Sequence, residues 1–303
     1  MDKLRAMQAF THIADAGSLT AAARVMASSL PAMVRTLAAL EAELGVRLLN
    51  RTTRRIALTD EGRNYLESCR QVLAAVQAAE ESLSATGGEP RGQIVITAPV
   101  LFGQLYVAPA VTRFVQRYPG VSCKVMLHDR VVNLLEEGID VGVRIGKLED
   151  STLVAQSVFS IRRVVVASPA YLKKHGLPKH PRDLKDANCV RFTSPTGPWW
   201  TFHDKGRTFT VPVSGNLEFN NAAPSVDACV AGLGFGMFIS YQVEAQVRQK
   251  KLVVVLEDFE PPKRPVSVVY PHARLLPART KLLVDWLRDE LLKLNQRPPG
   301  RSR

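Results

Sequence analysis

The sequence predicts an α/β protein in two parts, an all-α N-terminal segment followed by a larger region in which strands and helices alternate. Apolar residues recur at intervals of three and four over most of residues 4–83, which is the period of an α-helix. From Arg91 onward, short apolar runs such as GQIVITA alternate with helical patterns, which is typical of an α/β sheet. The length of 303 residues also favours more than one domain.

The composition is that of a folded, soluble protein. Hydrophobic residues make up 46% of the chain and charged residues 22%, which excludes a largely disordered chain. The first residues, MDKLRAMQAF, lack the long apolar run of a signal peptide. No apolar stretch of the sequence approaches the ~20 residues that a membrane-spanning helix needs. We therefore expect a cytoplasmic protein with no membrane partner.

Net charge does not by itself identify the partner. The formal charge of +12 would suggest nucleic acid. However, the first 90 residues hold ten basic and ten acidic residues, so the whole excess lies in residues 91–303. An argument for DNA binding must therefore rest on local patterns.

Cysteine and histidine spacing gives no sign of a metal site. The four cysteines form no CxxC pair, and the six histidines lack the spacing of metal ligands. We expect reduced, buried thiols and no cofactor; a redox-sensor role is the alternative, and no spacing supports it. The run GLGFG at residues 232–236 resembles a nucleotide loop, but it follows a predicted helix and precedes a strand, which is the wrong order.

Three helices are predicted in succession, and a tight turn joins the second helix to the third. Leu4–Ala16 is predicted to be helical, and Ser18 can cap a second helix, Leu19–Met26. Ser29 can cap a third helix, in which Pro31 is tolerated because the first turn has no amide hydrogen bond to lose.

The third helix is a candidate for insertion into the major groove of DNA. Its apolar residues lie on one stripe, and small and basic residues occupy its other faces, which is the surface that the groove admits. The stripe consists of Met33, Leu37, Leu40 and Leu44. The DNA contacts expected from the helix pair are Ser18, Thr20, Ser29, Leu30, Pro31, Ala32, Val34 and Arg35.

A basic segment, VRLLNRTTRRIALT, follows Gly45 and contains no acidic residue. Apolar residues on both sides of the turn at Asn50–Thr53 predict a two-stranded wing, and hence a winged helix-turn-helix. Its arginines would bind phosphates or enter the minor groove. The alternative, a solvated basic loop on an unrelated helical domain, is disfavoured by the neighbouring helix pair. The DNA contacts expected from the wing are Arg51, Thr52, Thr53, Arg54 and Arg55.

A long helix is predicted from Asp60 onward, since acidic residues in its first turn favour the helix dipole. A narrow heptad stripe with polar flanks indicates a dimer interface; the alternative is packing on its own domain. The stripe is Cys69, Val72, Val76, Ala79 and Leu83. We therefore expect a DNA-binding domain at residues 1–59, a linker and dimerisation helix at 60–88, and a C-terminal domain at 89–303.

The C-terminal domain is predicted to form two α/β lobes. The strands GQIVITAP, VSCKVMLHD and IDVGVRIG alternate with a helix at residues 105–117 and a short helix at 131–137, which predicts a parallel sheet covered on both faces. RRVVVAS begins a second set, and the strand KRPVSVVYPH with the last helix returns to the first. Lobe 1 is expected at about 91–163 and 267–296, and lobe 2 at about 164–266.

Ligands of such sheets bind at the carboxyl ends of the strands, close to helix N-termini. Arg144 and backbone amides could hold a carboxylate there; alternatively, Arg144 pairs with a neighbouring acidic residue. The expected contacts with a small-molecule effector are Pro99, Val100, Leu101, His128, Asp129 and Arg144 in lobe 1, and Thr193, Ser194, Asn220, Asn221 and Phe235 in lobe 2.

The N-terminal half resembles the LysR-type transcriptional regulators at dozens of positions in register. The matching residues are Phe10, Gly17–Ala23, Ser29, Pro31, Ala32, Arg35, Leu40, Glu41, Glu43–Val46, Leu48, Leu49, Arg51, Leu58, Thr59 and Gly62. Leu30 and Val34 stand where the family usually has Gln and Ser. Base contacts at these positions are therefore expected to be apolar, for example with thymine methyl groups.

The C-terminal half resembles, more loosely, the effector domain of that family, which is similar to periplasmic binding proteins and binds its ligand between two lobes. The resemblance implies a sequence-specific DNA-binding regulator of transcription that is not an enzyme. Its expected partners are a double-stranded DNA operator, a small-molecule effector (a carboxylate is one candidate) and further copies of itself, as a homodimer or a tetramer.

Two other functions are alternatives to the regulator. A solute-binding protein would suit the C-terminal half, but the expected lack of an export signal and the attached helix-turn-helix disfavour it. An enzyme that uses the cleft between the lobes is disfavoured because the sequence contains no nucleophile–base motif, metal-ligand spacing or phosphate loop.

Overall fold

The computed structural model describes residues 2–51, 56–84, 89–147, 153–193, 199–271 and 276–295. Its N-terminal part consists of helices α1 (Lys3–Ala16), α2 (Leu19–Val25) and α3 (Leu30–Leu44), strands β1 (Leu49–Arg51) and β2 (Ile56–Leu58), and helix α4 (Asp60–Ser84). Strands β1 and β2 pair antiparallel, as a wing requires.

Local capping explains where α2 and α3 begin. The Oγ of Ser18 accepts a hydrogen bond from the Ala21 amide at 3.4 Å, and the Oγ of Ser29 accepts one from the Ala32 amide at 3.3 Å. Gly45 ends α3 at a φ of +70°, a left-handed conformation that glycine adopts without the steric cost of a Cβ. These signals lie within a few residues of each helix end, which is why the sequence predicted both helices.

The core of the N-terminal part includes the start of α4. Phe10, Ile13 and Leu37 are buried in it together with Cys69. The predicted heptad stripe is therefore wrong at its first position, because the Cys69 thiol packs inside its own domain. Val72 is 39% exposed, so an apolar side chain of α4 first reaches the surface here.

The C-terminal part contains, in chain order, β3 (Gly92–Ala98), α5 (Val100–Phe102), α6 (Ala108–Arg117), β4 (Val121–Leu127), β5 (Val141–Ile145), β6 (Leu153–Ile161), β7 (Arg163–Ala167), α7 (Pro169–His175), β8 (Cys189–Phe192), β9 (Trp199–Asp204), β10 (Arg207–Pro212), β11 (Glu218–Phe219), α8 (Ala222–Val230), β12 (Phe235–Ile239), α9 (Ser240–Arg248), β13 (Val253–Val255), β14 (Arg264–Pro271) and α10 (Ala278–Asn295). A π-helical turn at Gly103–Val107 joins α5 to α6.

These elements form two α/β lobes, which confirms the predicted fold class. The sheet of lobe 1 has the order β4-β3-β5-β14-β6, and the sheet of lobe 2 has the order β11-β8-β12-β7-β13. The first three strands of each sheet are parallel, whereas β14 and β7 run antiparallel to their neighbours. The expectation of fully parallel sheets is therefore wrong. The chain enters β14 of lobe 1 directly from lobe 2, and it enters β7 of lobe 2 directly from lobe 1.

Three local expectations differ from the structure. Residues 129–138, all of which the structure describes, form turns and no helix, although a short helix was expected there. The edge strand β6 was not anticipated, because polar residues such as Gln156 and Ser157 interrupt its apolar pattern. The hairpin β9–β10 was also missed, and it places Trp200 in the core while Trp199 is 48% exposed.

Candidate DNA-binding surface and effector cleft

The helix pair α2–α3 presents most of its expected DNA contacts on its surface. The exposed ones are Thr20, Ser29, Leu30, Pro31 and Arg35, and the partly buried ones are Ser18, Ala32 and Val34. Residues 16–40, which span both helices up to the last turn of α3, contain two arginines and no acidic residue. The surface is therefore apolar with isolated positive charges, which suits approach to a phosphate backbone.

A groove of about 400 Å³ beside the start of α3 is lined by two arginines. Arg5 of α1 and Arg35 of α3 both line it, together with Asp2 and Ser28. Asp2 caps α1, since its Oδ1 accepts from the Arg5 amide at 3.1 Å. Arg5 was missed by the sequence analysis because thirty residues separate it from Arg35 and only the fold makes them neighbours.

A carboxylate of α3 holds the base of the wing. The Oε1 of Glu41 accepts hydrogen bonds from the amides of Leu48 at 2.9 Å and Leu49 at 3.2 Å. The hydroxyl of Thr59 donates to the carbonyl of Arg47 at 2.8 Å and so joins the residue after β2 to the segment before β1. The wing is thus anchored to the helix that carries Arg35. The Arg51 side chain and residues Thr52, Thr53, Arg54 and Arg55 lie outside the described residues.

In lobe 1, the ends of β3 and β4 are tied together at the carboxyl edge of the sheet. The Val100 amide donates to the Oδ1 of Asp129 at 3.0 Å, and the His128 amide donates to the carbonyl of Ala98 at 3.0 Å. Burial raises the pKa of the Asp129 carboxyl, opposed by the Val100 amide. The Nε2 of His128 is buried and has no hydrogen-bond partner among the described residues. Pro99, which precedes α5, is partly buried at the same edge.

Two of the other expected lobe 1 contacts have structural roles. Leu101 packs against the lobe 1 core. Arg144 donates from Nη2 to the carbonyl of Val132 at 2.8 Å, so it binds a backbone oxygen rather than the acidic partner considered above. Burial lowers the pKa of the Arg144 guanidinium, and the nearby Glu137 carboxylate opposes this effect. Arg144 thereby fastens the segment that follows β4.

In lobe 2, three expected contacts lie together at the carboxyl edge. The Thr193 amide donates to the carbonyl of Phe219 at 2.8 Å, which brings the end of β8 beside Asn220. The Oδ1 of Asn221 accepts from the Ala223 amide at 3.0 Å and caps α8. Ser194 lies outside the described residues.

The expectation for Phe235 is wrong. Phe235 begins β12 rather than ending it, and it is 3% exposed in the core of lobe 2, where its ring contacts Tyr171. The carboxyl end of β12 is at Ile239, followed by Ser240. Sequence analysis could have found these two residues, because they end the apolar run FGMFI in the same way that Pro99 follows GQIVITA.

Tyr241 joins the two lobes beside this edge. It belongs to α9 but is buried in the lobe 1 core between Phe102 and Tyr106, with ring centroids 5.2 and 6.0 Å away in edge-on contact. Burial raises the pKa of its hydroxyl, and Asp129 adds to this. Both lobes therefore meet where the carboxyl ends of their strands face each other.

The segments that cross between the lobes are also linked by charge. Arg162, between β6 and β7, binds Glu257 at 2.8 Å and Glu260 at 2.6 Å on the segment that leads into β14. These carboxylates raise the pKa of the Arg162 guanidinium. These ion pairs hold the two crossing segments beside each other.

The four cysteines are free thiols, and burial raises the pKa of each, to about 11 for Cys69 and Cys123 and to about 12 for Cys189 and Cys229. Within the described ranges, no group of three or more His, Cys, Asp or Glu side chains could hold a metal ion. Nor does the described part of the chain include a helix long and apolar enough to cross a membrane.

Comparisons with known proteins agree with this architecture. Residues 4–63 match the family described as bacterial regulatory helix-turn-helix protein, lysR family, and residues 87–292 match the LysR substrate binding domain. The chain is similar to an HTH-type transcriptional repressor of Pseudomonas aeruginosa, with 33% identity over 95% of this chain and 92% of that protein. It is also similar to the HTH-type transcriptional activator AaeR of Escherichia coli, with 30% identity over 100% and 99%.

A solved structure gives the same result in three dimensions. The structure of CrgA, a LysR-type transcriptional regulator from Neisseria meningitidis, aligns with a TM-score of 0.60 at 29% identity, covering 95% of this chain and 98% of that one. The family matches span both the helix-turn-helix and the two-lobed domain. The chain therefore belongs to the LysR family of transcriptional regulators.

Proposed function

We propose that this regulator reads its operator with the first two turns of α3 and grips the backbone with the wing. The observation that carries the proposal is the exposed, acid-free start of α3, where Leu30, Pro31 and Arg35 face solvent beside the groove shared with Arg5. Leu30 and Val34 supply apolar contacts, suited to thymine methyl groups. Arg5 and Arg35 together suit one phosphate at the rim of the groove.

We assign DNA binding to residues 1–59, with the wing residues 51–55 on phosphates or in the minor groove. Residues 60–88 form the linker, whose apolar face from Val72 onward pairs with a second copy of the chain. A symmetric dimer then occupies two half-sites about one or more helical turns apart. A tetramer would extend this arrangement through the C-terminal domains.

Residues 89–303 bind a small-molecule effector between the lobes. Its contacts are the carboxyl-edge residues Pro99, Val100, His128 and Asp129 of lobe 1, and Thr193, Asn220 and Asn221 of lobe 2. The buried Nε2 of His128, which lacks a partner among the described residues, supplies a polar contact at this edge. A carboxylate effector would accept hydrogen bonds from the guanidinium of Arg144, whose Nη2 also donates to the Val132 carbonyl. The site binds its ligand without converting it, so its action is regulatory rather than enzymatic.

Gel retardation of a duplex selected by the wild-type protein from a random-sequence library tests the DNA surface. Arg35→Ala should weaken binding by about 1–3 kcal/mol, roughly 5- to 150-fold. Arg117→Ala removes an equivalent exposed charge from α6, far from α3, and should leave binding unchanged. Equal losses in the two variants, or no selected duplex at all, would reject the assignment.

Thermal-shift measurements on the full chain test the cleft. A ligand that binds only the folded state raises its stability by RT ln(1 + [L]/Kd), so a panel of small aromatic and aliphatic carboxylates should include one that raises the melting temperature. Arg144→Ala should remove that shift and Arg117→Ala should keep it. A shift that survives Arg144→Ala would leave the cleft assignment intact and remove the carboxylate contact.

A further inference from the structure

Arg70 joins three parts of the molecule through one side chain. It lies on α4 directly after Cys69, where the helix leaves the N-terminal core. Its Nη2 pairs with the Oδ1 of Asp15, near the end of α1, at 2.6 Å. Its Nη1 donates to the backbone carbonyl of Glu136 in lobe 1, also at 2.6 Å. The DNA-binding domain, the linker helix and the effector domain therefore meet at this guanidinium.

The partner in lobe 1 is residues 129–138, here called the β4–β5 crossover. The Glu136 carbonyl lies near the end of the turns, where a carbonyl accepts from a side chain when no amide further along the chain reaches it. Gly138 adopts a φ of +62°, and a Cβ at this position would lie 3.2 Å from the Cζ of Arg70. A glycine here thus both permits the turn and leaves room for the guanidinium.

Hydrogen bonds and a buried leucine brace the crossover along its length. Arg130 and Glu137 form two parallel hydrogen bonds of 2.8 and 3.0 Å across it. The Oδ1 of Asn133 accepts from the Leu135 amide at 3.1 Å. Leu134 is 1% exposed in a small apolar cluster beneath. Bidentate arginine–carboxylate pairs fix geometry as well as charge, which makes the crossover a single unit.

The opposite end of the crossover forms part of the effector edge. Asp129 accepts from the Val100 amide, and the Val132 carbonyl accepts from Arg144. The carboxyl edge of lobe 1 is thus connected to Asp15 of α1 through the backbone of the crossover, the Arg130–Glu137 pair and the two hydrogen bonds of Arg70. Such a contiguous network is a physical route for coupling between sites, provided that both sites bias it.

We propose that Arg70 is the positioning residue through which the β4–β5 crossover sets the placement of the DNA-binding domain. The inference rests on the proposed function, in which the effector binds at the edge that contains Asp129. A ligand that shifts Asp129 or Val132 moves the Glu136 carbonyl with the rest of the crossover, and Arg70 transmits the shift to α1. Linkage is reciprocal, so DNA bound to the helix-turn-helix must also alter the crossover.

Hydrogen–deuterium exchange of the full chain, with and without the selected duplex, tests this without an effector. In the wild type, DNA should change the exchange of peptides that cover residues 130–140, where the amide of Ile139 is bonded to the Leu134 carbonyl. Arg70→Ala and Asp15→Asn should lose this change, while DNA affinity shifts by roughly 2- to 30-fold, the range expected for coupling residues. Arg117→Ala, a charge-matched control in lobe 1, should keep it.

Two variants guard against misfolding, because Asp15→Asn preserves side-chain size and leaves the bond from Arg70 to Glu136 intact. A purely structural role of Arg70 would lower stability but leave the DNA-dependent exchange in place. Retention of that exchange in Arg70→Ala, or its absence in the wild type bound to DNA, overturns the proposal. Failure to select any duplex would instead reject DNA binding itself, and the coupling would fall with it.

Discussion

The two lobes of the effector domain share one sheet plan. Read across the sheets, β4-β3-β5-β14-β6 of lobe 1 corresponds strand by strand to β11-β8-β12-β7-β13 of lobe 2. In both sheets the first three strands are parallel, and the strand that comes first in the chain lies between the second and the third. An antiparallel strand, which arrives from the other lobe, lies next to the third strand. One of the differences lies in the way in which the second and third strands are connected.

In lobe 2 this connection is helix α8, whereas in lobe 1 it is the β4–β5 crossover of turns. Both begin in the same way, with an asparagine Oδ1 that accepts from the amide two residues later: Asn221 from Ala223 and Asn133 from Leu135. The lobe 1 connection then reaches Gly138 after only five residues, too few for a helix of ordinary length. A helix uses its carbonyls internally, whereas the turns of lobe 1 leave those of Val132 and Glu136 to Arg144 and Arg70.

The largest expected difference between the lobes concerns two equivalent glycines, Gly142 in β5 and Gly236 in β12. A Cβ at Gly236 would collide with the Phe238 ring and lie 2.6 Å from the Cys229 Sγ, whereas one at Gly142 would meet Val269 at 3.0 Å. Overpacking therefore makes Gly236→Ala cost about 3 kcal/mol of unfolding free energy and Gly142→Ala about 1 kcal/mol. Urea unfolding followed by tryptophan fluorescence measures both.

Trp199 and Trp200 report on lobe 2 and Trp286 on lobe 1, so Trp286→Phe leaves the fluorescence of lobe 2 alone and assigns the other transition by difference. If the two alanine variants lower the unfolding free energy equally, the third strands of the two lobes are packed equally tightly. That result would contradict the expected difference between the lobes.

A smaller effect is expected at the asparagines that begin the two connections. Asn221→Ala removes the cap of α8 and should lower the unfolding free energy by about 1 kcal/mol, as loss of a helix cap does. Asn133→Ala should chiefly loosen the β4–β5 crossover, because no helix depends on it. Hydrogen–deuterium exchange should therefore rise over residues 130–140 in Asn133→Ala and over residues 222–231 in Asn221→Ala. Identical exchange patterns in the two variants would contradict this separation.

The smallest expected effect is on thiol reactivity. Cys123 in lobe 1 is partly exposed, whereas Cys189 and Cys229 in lobe 2 are buried, so an alkylating reagent at pH 8 should modify Cys123 first. Only the thiolate reacts, and a raised pKa makes it scarce at all three positions. Cys123→Ser removes the early label and serves as the control. Rapid labelling of Cys189 in the native protein would show that lobe 2 opens more readily than lobe 1.

These thiols also set an alkaline limit on stability. Burial raises the pKa of Cys189 from 9.0 to about 12, so the folded state favours the protonated form. The stabilisation that this provides is complete below about pH 9 and is lost as the pH rises towards 12. Urea midpoints should therefore fall between these pH values, and less steeply in Cys189→Ala. A flat profile would contradict the burial of this thiol.

The sequence by itself determined the elements whose signals are local. Ser18, Ser29 and Gly45 define the ends of α2 and α3 within a few residues, and the apolar stripe of α3 has the helical period along its whole length. The apolar residues on both sides of the turn after Gly45 predicted the wing, and alternating apolar runs predicted two α/β lobes. Each of these features depends on neighbours in the chain, which a sequence displays directly.

Only the tertiary structure decided which residues share a site. Phe235 and Ile239 lie at opposite ends of one apolar run, and the direction of β12 within its sheet places only the second at the carboxyl edge. Cys69 fits a heptad as well as a core position, and packing against α1 decides between them. The contact of Arg70 with Glu136 spans sixty-six residues. Strand direction, burial and long-range pairing are properties of the assembled chain, because they depend on partners that are distant in sequence.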